Sequence, residues 1–265
     1  MRQFTVNLRE KETKYKFMPT LHIYLLDGDA SRPMVIIVPG GGYEKVCTDC
    51  EKTAMQYASA GFHTAILNYR TKPHHFPEPQ YDLASSIKII REHAKEWYVC
   101  TDKITVCGYS AGAHLCACVA TLWNNKNIFP IDDIKNKLHK PNACILYSAV
   151  LTTRLEHYKA FLYDHVGTKN RKKLKYAACD LQVNSSTPPT FMLGTYEDKL
   201  ANVENMLYYA EKLTQYHIPF ELHILPKGNH CAPWCDETIW AKKITKRNYN
   251  PVNLSIEWLI ELYNI

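Results

Sequence analysis

The sequence lacks any run of apolar residues long enough to cross a bilayer, and its first ten residues contain neither the apolar stretch nor the small-residue cleavage site of a signal peptide. It also lacks internal repeats, low-complexity tracts and linker-like segments. At 265 residues, of which 46% are hydrophobic and 22% charged, the chain can bury one large core. These properties predict one cytoplasmic domain over residues 1–265 that makes no membrane contact.

A large excess of one charge sign is also missing, since the formal net charge is only +6. Basic residues are concentrated in two short stretches, 169–173 and 242–247, and no aromatic-interleaved nucleic-acid module accompanies them. We interpret both stretches as solvated surface and expect no nucleic-acid partner.

The ten cysteines do not resemble a secreted disulfide framework. Four of them fall within apolar strand or helix patterns: Cys107, Cys116, Cys118 and Cys144. Such positions suit reduced core thiols, which favours a reducing compartment.

A G-x-S-x-G pentapeptide occupies residues 108–112, directly after the apolar stretch 104–107 and before a helix-like pattern. In that context the pattern is typical of a nucleophile elbow, a sharp strand-to-helix turn that exposes a serine hydroxyl. Small residues at both ends allow the strained turn to close. We predict Ser110 as the nucleophile and the backbone amide of Ala111 as one donor of an oxyanion hole.

Only ten glycines occur in the chain, yet three of them are consecutive at residues 40–42, directly after the apolar stretch 34–38. A hydrolase with a nucleophile elbow needs further oxyanion donors from an earlier strand, and such a loop presents bare amides. A flexible turn or a phosphate-binding loop is the alternative, but neither G-x-G-x-x-G spacing nor a following Lys-Ser or Lys-Thr pair is present there. We predict the amides of Gly41 and Gly42 as donors.

The other members of a catalytic triad are expected after the nucleophile, first the acid and then the histidine, each just beyond a strand. Residues 190–195 resemble a buried strand, after which we predict Asp198 as the acid, with Glu197 as the alternative. Residues 220–225 alternate as a strand does and lead to His230, the predicted general base.

Strand patterns alternate with helical patterns along the chain. The predicted strands lie near residues 4–8, 21–26, 34–38, 64–68, 104–107, 143–147, 190–193 and 221–225, and the helices near 51–60, 81–97, 111–123, 203–214 and 253–263. This alternation predicts an α/β fold with a mostly parallel central sheet of about eight strands and helices on both faces. Residues 151–183 interrupt the alternation and are predicted to form a small cap over the strand ends, with ordinary surface packing as the alternative.

The chain resembles the α/β-hydrolase esterase and lipase family, in the group of bacterial acetyl esterases and feruloyl-type esterases that act on plant-polysaccharide side groups. The resemblance rests on blocks that occur in order at residues 39–43, 65–70, 79–83, 108–115, 187–191 and 226–230. Pro39 departs from the pattern, because many relatives have a histidine there. The resemblance implies ester hydrolysis without a cofactor, by the triad and amides already named.

We therefore predict a serine carboxylic-ester hydrolase for short acyl esters, acetyl esters above all, of small alcohols such as sugar hydroxyls, acting as a monomer or homodimer. A small serine peptidase of the same fold and a non-catalytic ligand-binding protein are the alternatives. Four residues near the predicted entrance are candidates for substrate binding: Tyr43, His74, Tyr109 and Trp234.

Four further cysteines follow predicted active-site loops: Cys47, Cys50, Cys231 and Cys235. A four-thiolate metal site is one interpretation of them. Because the second pair has three intervening residues rather than two and nothing else in the sequence requires a metal, we favour free thiols or an adventitious disulfide and expect no metal.

Overall fold

A computed structural model of the chain describes residues 1–9, 17–48, 50–167, 170–230 and 250–265. Eight strands form one sheet in the order β1-β2-β4-β3-β5-β6-β7-β8. They are β1 Arg2–Asn7, β2 Thr20–Leu25, β3 Arg32–Val38, β4 His63–Asn68, β5 Val99–Tyr109, β6 Ala143–Tyr147, β7 Thr190–Thr195 and β8 Phe220–Leu225. β2 pairs antiparallel with β1 and β4, whereas every other pairing is parallel. The predicted mostly parallel sheet is confirmed.

In the described part of the chain, helices connect the parallel strands, and one more helix follows the last strand. They are α1 Glu51–Ser59, α2 Glu78–Glu92, α3 Ala94–Trp97, α4 Ala111–Leu122, α5 Ile131–Lys135, α6 Glu156–Val166, α7 Arg171–Ala177, α8 Glu204–Gln215 and α9 Pro251–Tyr263, with a 3-10 turn at Cys179–Leu181. None of these helices is both long and apolar enough to cross a membrane.

The helix predicted over residues 81–97 is wrong in its extent. It begins earlier, at Glu78, where Pro79 fits the first turn because no intrahelical partner is needed for its missing N–H. It also ends at Glu92, where His93 caps α2 and separates it from α3. The ring of His93 bonds the carbonyl of Ile89 (3.0 Å) and stacks on Trp97 (4.7 Å), and these local contacts stabilise the break.

Successive side chains of β3 point to opposite faces of the sheet and pack into two separate parts of the core. Met34, Ile36 and Val38 pack with α2, α4 and α8 on one face, whereas Val35 and Ile37 pack with α1 and α9 on the other. All five side chains are fully buried. Helices on both faces leave no solvated side to a parallel strand, so its sequence is continuously apolar.

The predicted cap at residues 151–183 contains α6, α7 and the 3-10 turn. Several of its apolar side chains form a small cluster with Val150 and Ala201, in which Leu162, Val166 and Leu174 are buried together. Phe161 of α6 extends from this cluster to the main core. The segment is therefore packed onto the body of the fold, and its role as a cap over substrate stays a prediction.

Candidate active site

The turn between β5 and α4 has the backbone of a nucleophile elbow. Ser110 has φ 54° and ψ −124°, a combination that is strained for a residue with a side chain. A Cβ on Gly108 would lie 2.4 Å from the carbonyl oxygen of Gly112, and a Cβ on Gly112 would lie 2.0 Å from that of Val38. Both glycines are thus required by close backbone approach, and the elbow is pressed against the end of β3.

The three residues predicted as a triad lie in one hydrogen-bonded line. The Ser110 Oγ and the Nε2 of His230 are 2.8 Å apart, and the Nδ1 of His230 is 2.8 Å from the Oδ2 of Asp198. Because a carboxylate only accepts, Nδ1 carries the proton, and this assignment leaves the Nε2 lone pair facing the serine hydroxyl. The imidazole is therefore oriented to accept a proton from Ser110.

The carboxylate of Asp198 is fixed on both oxygens. Asp198 is 2% exposed, and its Oδ1 accepts the backbone N–H groups of Leu200 and Ala201, both at 2.9 Å. The rival Glu197 is exposed, and its Oε2 accepts the N–H of Gly228 (3.2 Å) in the loop that leads to the histidine. The structure thus brings Asp198 to the imidazole and leaves Glu197 as a brace for the loop.

The glycine loop after β3 presents bare amides beside the elbow. Gly41 and Gly42 have φ values of +126° and +65°, which glycine tolerates, and a Cβ on Gly41 would lie 2.1 Å from the carbonyl oxygen of Lys45. Among the described residues, no acceptor is found for the amides of Gly41 and Gly42, and the amide of Ala111 is the first of α4 and has no intrahelical partner. All three amides are available to a ligand oxygen. Because the positive end of the α4 dipole lies at Ala111, a negatively charged oxygen is favoured there.

The described candidates for substrate binding are all buried and have side-chain partners: Tyr43 with His114, Tyr109 with Cys50, and His74 with Glu78. Trp234, Cys231 and Cys235 lie outside the described residues. Substrate binding by these four candidates stays a prediction.

Three buried residues could together hold a metal ion, since the ligand atoms of His114, Cys118 and Cys179 lie within 4.8 Å of one another. Both ring nitrogens of His114 already have partners at 2.8 Å, the hydroxyl of Tyr43 and the carbonyl of Ala177. Burial raises the pKa of the Cys179 thiol well above its usual value, whereas metal ligation needs a thiolate. Burial opposes ionisation of the Cys118 thiol too, but the hydrogen bond from Cys179 and the nearby charge of His114 lower the pKa of Cys118 below its usual value. The set is therefore described as a packed, hydrogen-bonded cluster. Cys47 and Cys50 are not joined to each other in a disulfide.

A buried ion pair supports the loop after β4. Arg70 and Asp82 are 2% and 0% exposed, and the guanidinium contacts both carboxylate oxygens at 2.9 Å. The backbone N–H of Arg70 also donates to Asp82 (2.9 Å). Burial raises the pKa of Asp82, and the hydrogen bonds from Arg70 oppose that shift. The pair joins the chain after β4 to the first turns of α2.

Known proteins share extended similarity with this chain. The family model described as BD-FAE matches residues 21–213. The chain is 30% identical to endo-1,4-beta-xylanase B of Butyrivibrio fibrisolvens over 233 residues, which cover 83% of this chain and 35% of that protein. It is 25% identical to an acetylxylan esterase of Xylanibacter ruminicola over 240 residues, 86% of this chain and 46% of that protein. The chain thus spans less than half the length of either relative.

Solved structures resemble the whole chain. A crystal structure of an acetyl ester-xyloside bifunctional hydrolase from Caldicellulosiruptor lactoaceticus superimposes with a TM-score of 0.85 at 27% identity, covering 100% of this chain and 98% of that one. The crystal structure of the α/β hydrolase MGS-M1 from a Medee basin deep-sea metagenome library superimposes with a TM-score of 0.75 at 26% identity, covering 100% of this chain and 99% of that one. The predicted α/β-hydrolase fold is confirmed, and the chain belongs to the BD-FAE family of α/β-hydrolase esterases.

Proposed function

We propose that this chain is a serine carboxylic-ester hydrolase that removes short acyl groups, acetyl above all, from sugar hydroxyls. The observation that carries the proposal is the line from Ser110 through His230 to Asp198, with both contacts at 2.8 Å. The names of two relatives support the acyl group and the sugar, since one is an acetylxylan esterase and the other an acetyl ester-xyloside hydrolase.

In the proposed acylation step, the Nε2 of His230 accepts the hydroxyl proton of Ser110 while Oγ attacks the ester carbonyl carbon. The carbonyl oxygen becomes an oxyanion that receives hydrogen bonds from the backbone amides of the glycine loop and of Ala111. Loss of one such donor typically costs about 3 kcal/mol of transition-state stabilisation. His230 then returns the proton to the leaving alcohol, and an acyl-enzyme remains.

Deacylation repeats the same proton path with water in place of the alcohol. Water gives a proton to His230 as its oxygen attacks the acyl carbon, and the proton returns to the Oγ of Ser110 as the carboxylic acid departs. During both steps the carboxylate of Asp198 stabilises the imidazolium. Its own position is held by two backbone N–H groups, so it does not need to rearrange.

Hydrolysis of p-nitrophenyl esters from acetate to octanoate tests the reaction class, with wild type beside Ser110→Ala and His230→Ala. We expect activity that falls with acyl length and is lost in both variants. Faster cleavage of aminoacyl-anilides would favour a peptidase instead. Absence of turnover, together with ligand binding that survives Ser110→Ala, would favour a non-catalytic binding protein.

Acetate release from acetylated xylo-oligosaccharides tests the sugar part of the proposal separately. A simple alkyl acetate is the matched reference, because it has the same acyl group on an unactivated alcohol without a sugar. We expect kcat/KM for the sugar ester to exceed that for a simple alkyl acetate of similar leaving-group acidity. Equal values would contradict sugar recognition and leave the esterase chemistry standing.

We further propose a cytoplasmic location. The support is that no two of the eight cysteines within the described part of the chain are joined in a disulfide, and several of them are buried in the core. Fractionation of the source cells with an antibody to the chain tests the location, and recovery outside the cytoplasm would contradict it.

A further inference from the structure

Tyr43 directly follows the glycine loop and turns its side chain into the interior. Its φ of +61° lies in the left-handed region, which is uncommon for a residue with a side chain. The residue is only 1% exposed, and its carbonyl accepts the N–H of Lys72 (2.9 Å). Together with Gly41 and Gly42, Tyr43 forms three successive residues of positive φ. The two glycines have little conformational preference of their own, so the loop depends on anchors at its ends.

The hydroxyl of Tyr43 is bound to the helix that carries the nucleophile. It lies 2.8 Å from the Nδ1 of His114, whose Nε2 lies 2.8 Å from the carbonyl oxygen of Ala177. A carbonyl only accepts, so Nε2 holds a ring proton, and the hydrogen bond between Nδ1 and the tyrosine hydroxyl is the second contact that fixes the ring. The backbone N–H of His114 in turn donates to the carbonyl of Ser110 (3.0 Å). One turn of α4 therefore contacts both the nucleophile and the anchor of the glycine loop.

The ring of Tyr43 packs against a side chain of the predicted cap. It stacks on the ring of His165 in α6, with centroids 3.8 Å apart and an interplanar angle of 20°. Burial lowers the pKa of His165 well below its usual value, with the charge of the nearby His114 adding to the effect, so the stacked ring is neutral. Salt bridges make a second connection between the glycine loop and α6, because Lys72 pairs both with Glu44, next to Tyr43, and with Asp164 of α6.

We propose that Tyr43 is a positioning residue for the oxyanion hole, acting through the backbone of Gly41 and Gly42 rather than by touching substrate. The hydrogen bond between its hydroxyl and His114 holds the loop at a fixed position relative to Ser110. Because its ring stacks on His165, the position of the same amides also depends on how α6 packs. The inference rests on the proposed function, since it assigns those amides to the oxyanion. Donors that stabilise charge must lie within hydrogen-bond reach of its position, so a small displacement of the loop lowers kcat.

Tyr43→Phe tests the hydroxyl, because it removes the bond to His114 and keeps the ring. Tyr263→Phe is the matched control: Tyr263 is also buried, and its hydroxyl bonds the Oγ1 of Thr105 (2.7 Å) in β5, about 16 Å of strand before the elbow. For p-nitrophenyl acetate we expect kcat to fall roughly tenfold in Tyr43→Phe, with KM within about twofold of wild type. The control should keep kcat within about twofold.

A trifluoromethyl ketone, which forms an oxyanion on the serine, supplies a readout that structural loosening would not move. Its inhibition constant should rise in Tyr43→Phe by the same factor as kcat/KM falls, and should be unchanged in the control.

A second pair of variants tests the ring. His165→Phe keeps the stacking and should retain kcat within about threefold, whereas kcat of His165→Ala should fall roughly five- to tenfold.

Wild-type kcat and inhibitor affinity in Tyr43→Phe would overturn the inference. So would a rise in KM alone, since the side chain would then act on substrate, or equal losses in Tyr43→Phe and Tyr263→Phe. Circular dichroism confirms that each variant is folded at the assay temperature. Failure of the proposed function is distinguishable, because the wild type would then show no ester turnover, or Ser110→Ala would retain it, whatever the Tyr43 variants do.

Discussion

Replacement of Asp198 by asparagine should reverse the tautomer of the histidine without moving it. The Oδ1 of Asp198 accepts two backbone N–H groups, those of Leu200 and Ala201, at 2.9 Å. An amide NH₂ cannot accept from them, so the carboxamide oxygen of the variant must take that position and the NH₂ must face the Nδ1 of His230. The Nδ1 then becomes the acceptor, the ring proton moves to Nε2, and the lone pair that faces Ser110 is lost.

The expected cost is large because the general base is lost rather than weakened. In serine proteases, the corresponding change of the triad aspartate lowers kcat by about 10⁴, which amounts to roughly 5 kcal/mol of activation free energy. We expect a loss of the same order in kcat for p-nitrophenyl acetate. Stability should change little, since the packing volume and the hydrogen bonds to Leu200 and Ala201 are retained.

The matched control is Glu197→Gln, which alters the adjacent carboxylate. Its side-chain oxygen can still accept the N–H of Gly228, a bond of 3.2 Å in the wild type. We expect kcat within about threefold of wild type for this control. A kcat above about one tenth of wild type in Asp198→Asn would refute the assignment of the acid, as would a larger loss in the control than in Asp198→Asn.

Three predictions concern stability, each measured by urea unfolding. Gly112→Ala places a Cβ 2.0 Å from the carbonyl of Val38 and should cost about 3 kcal/mol or prevent folding; an unchanged midpoint would contradict the packing of the elbow. Arg70→Leu removes the guanidinium from the buried Asp82, to which the backbone N–H of residue 70 and Arg9 (3.6 Å) still contribute, and should cost about 3 kcal/mol, whereas a loss below about 1 kcal/mol would show that the pair is dispensable. Burial lowers the pKa of His63 from 6.5 to about 4, so below pH 6.5 the unfolded state binds more protons and stability falls as the pH is lowered. His63 should account for a loss of about 2 kcal/mol in the free energy of unfolding between pH 7 and pH 5, and this part of the loss should be absent in His63→Asn. Equal pH dependence of the unfolding free energy in wild type and His63→Asn would contradict the assignment.

The parts of the fold that local pattern determines could be predicted from the sequence. Continuous apolar runs such as residues 34–38 indicate parallel strands buried on both faces, and the structure confirms them. Chain order and strand ends also led to Asp198 and His230, because the carboxyl ends of parallel strands meet at one edge of a sheet. The structure brings both side chains to Ser110, and their catalytic roles stay predictions.

The network behind the glycine loop could not be predicted in this way. Tyr43, His114 and His165 come from three separate segments, and nothing in their spacing shows that they meet. His114 resembles any histidine within a helix, and the sequence shows neither that Tyr43 is buried nor which residues it contacts. Likewise the break at His93 depends on ring contacts with Trp97 that helical periodicity does not report. Long-range packing decides these features, and sequence patterns record only local preference.

Trapping of the acyl-enzyme tests the central claim most directly. Wild type and Ser110→Ala are mixed with p-nitrophenyl acetate, quenched in acid within the first turnover, digested and examined by mass spectrometry. Our account predicts one acetyl group on the peptide that carries Ser110 in the wild type, and neither that adduct nor turnover in the variant. An acetyl group on another residue, or turnover that survives Ser110→Ala, would contradict it.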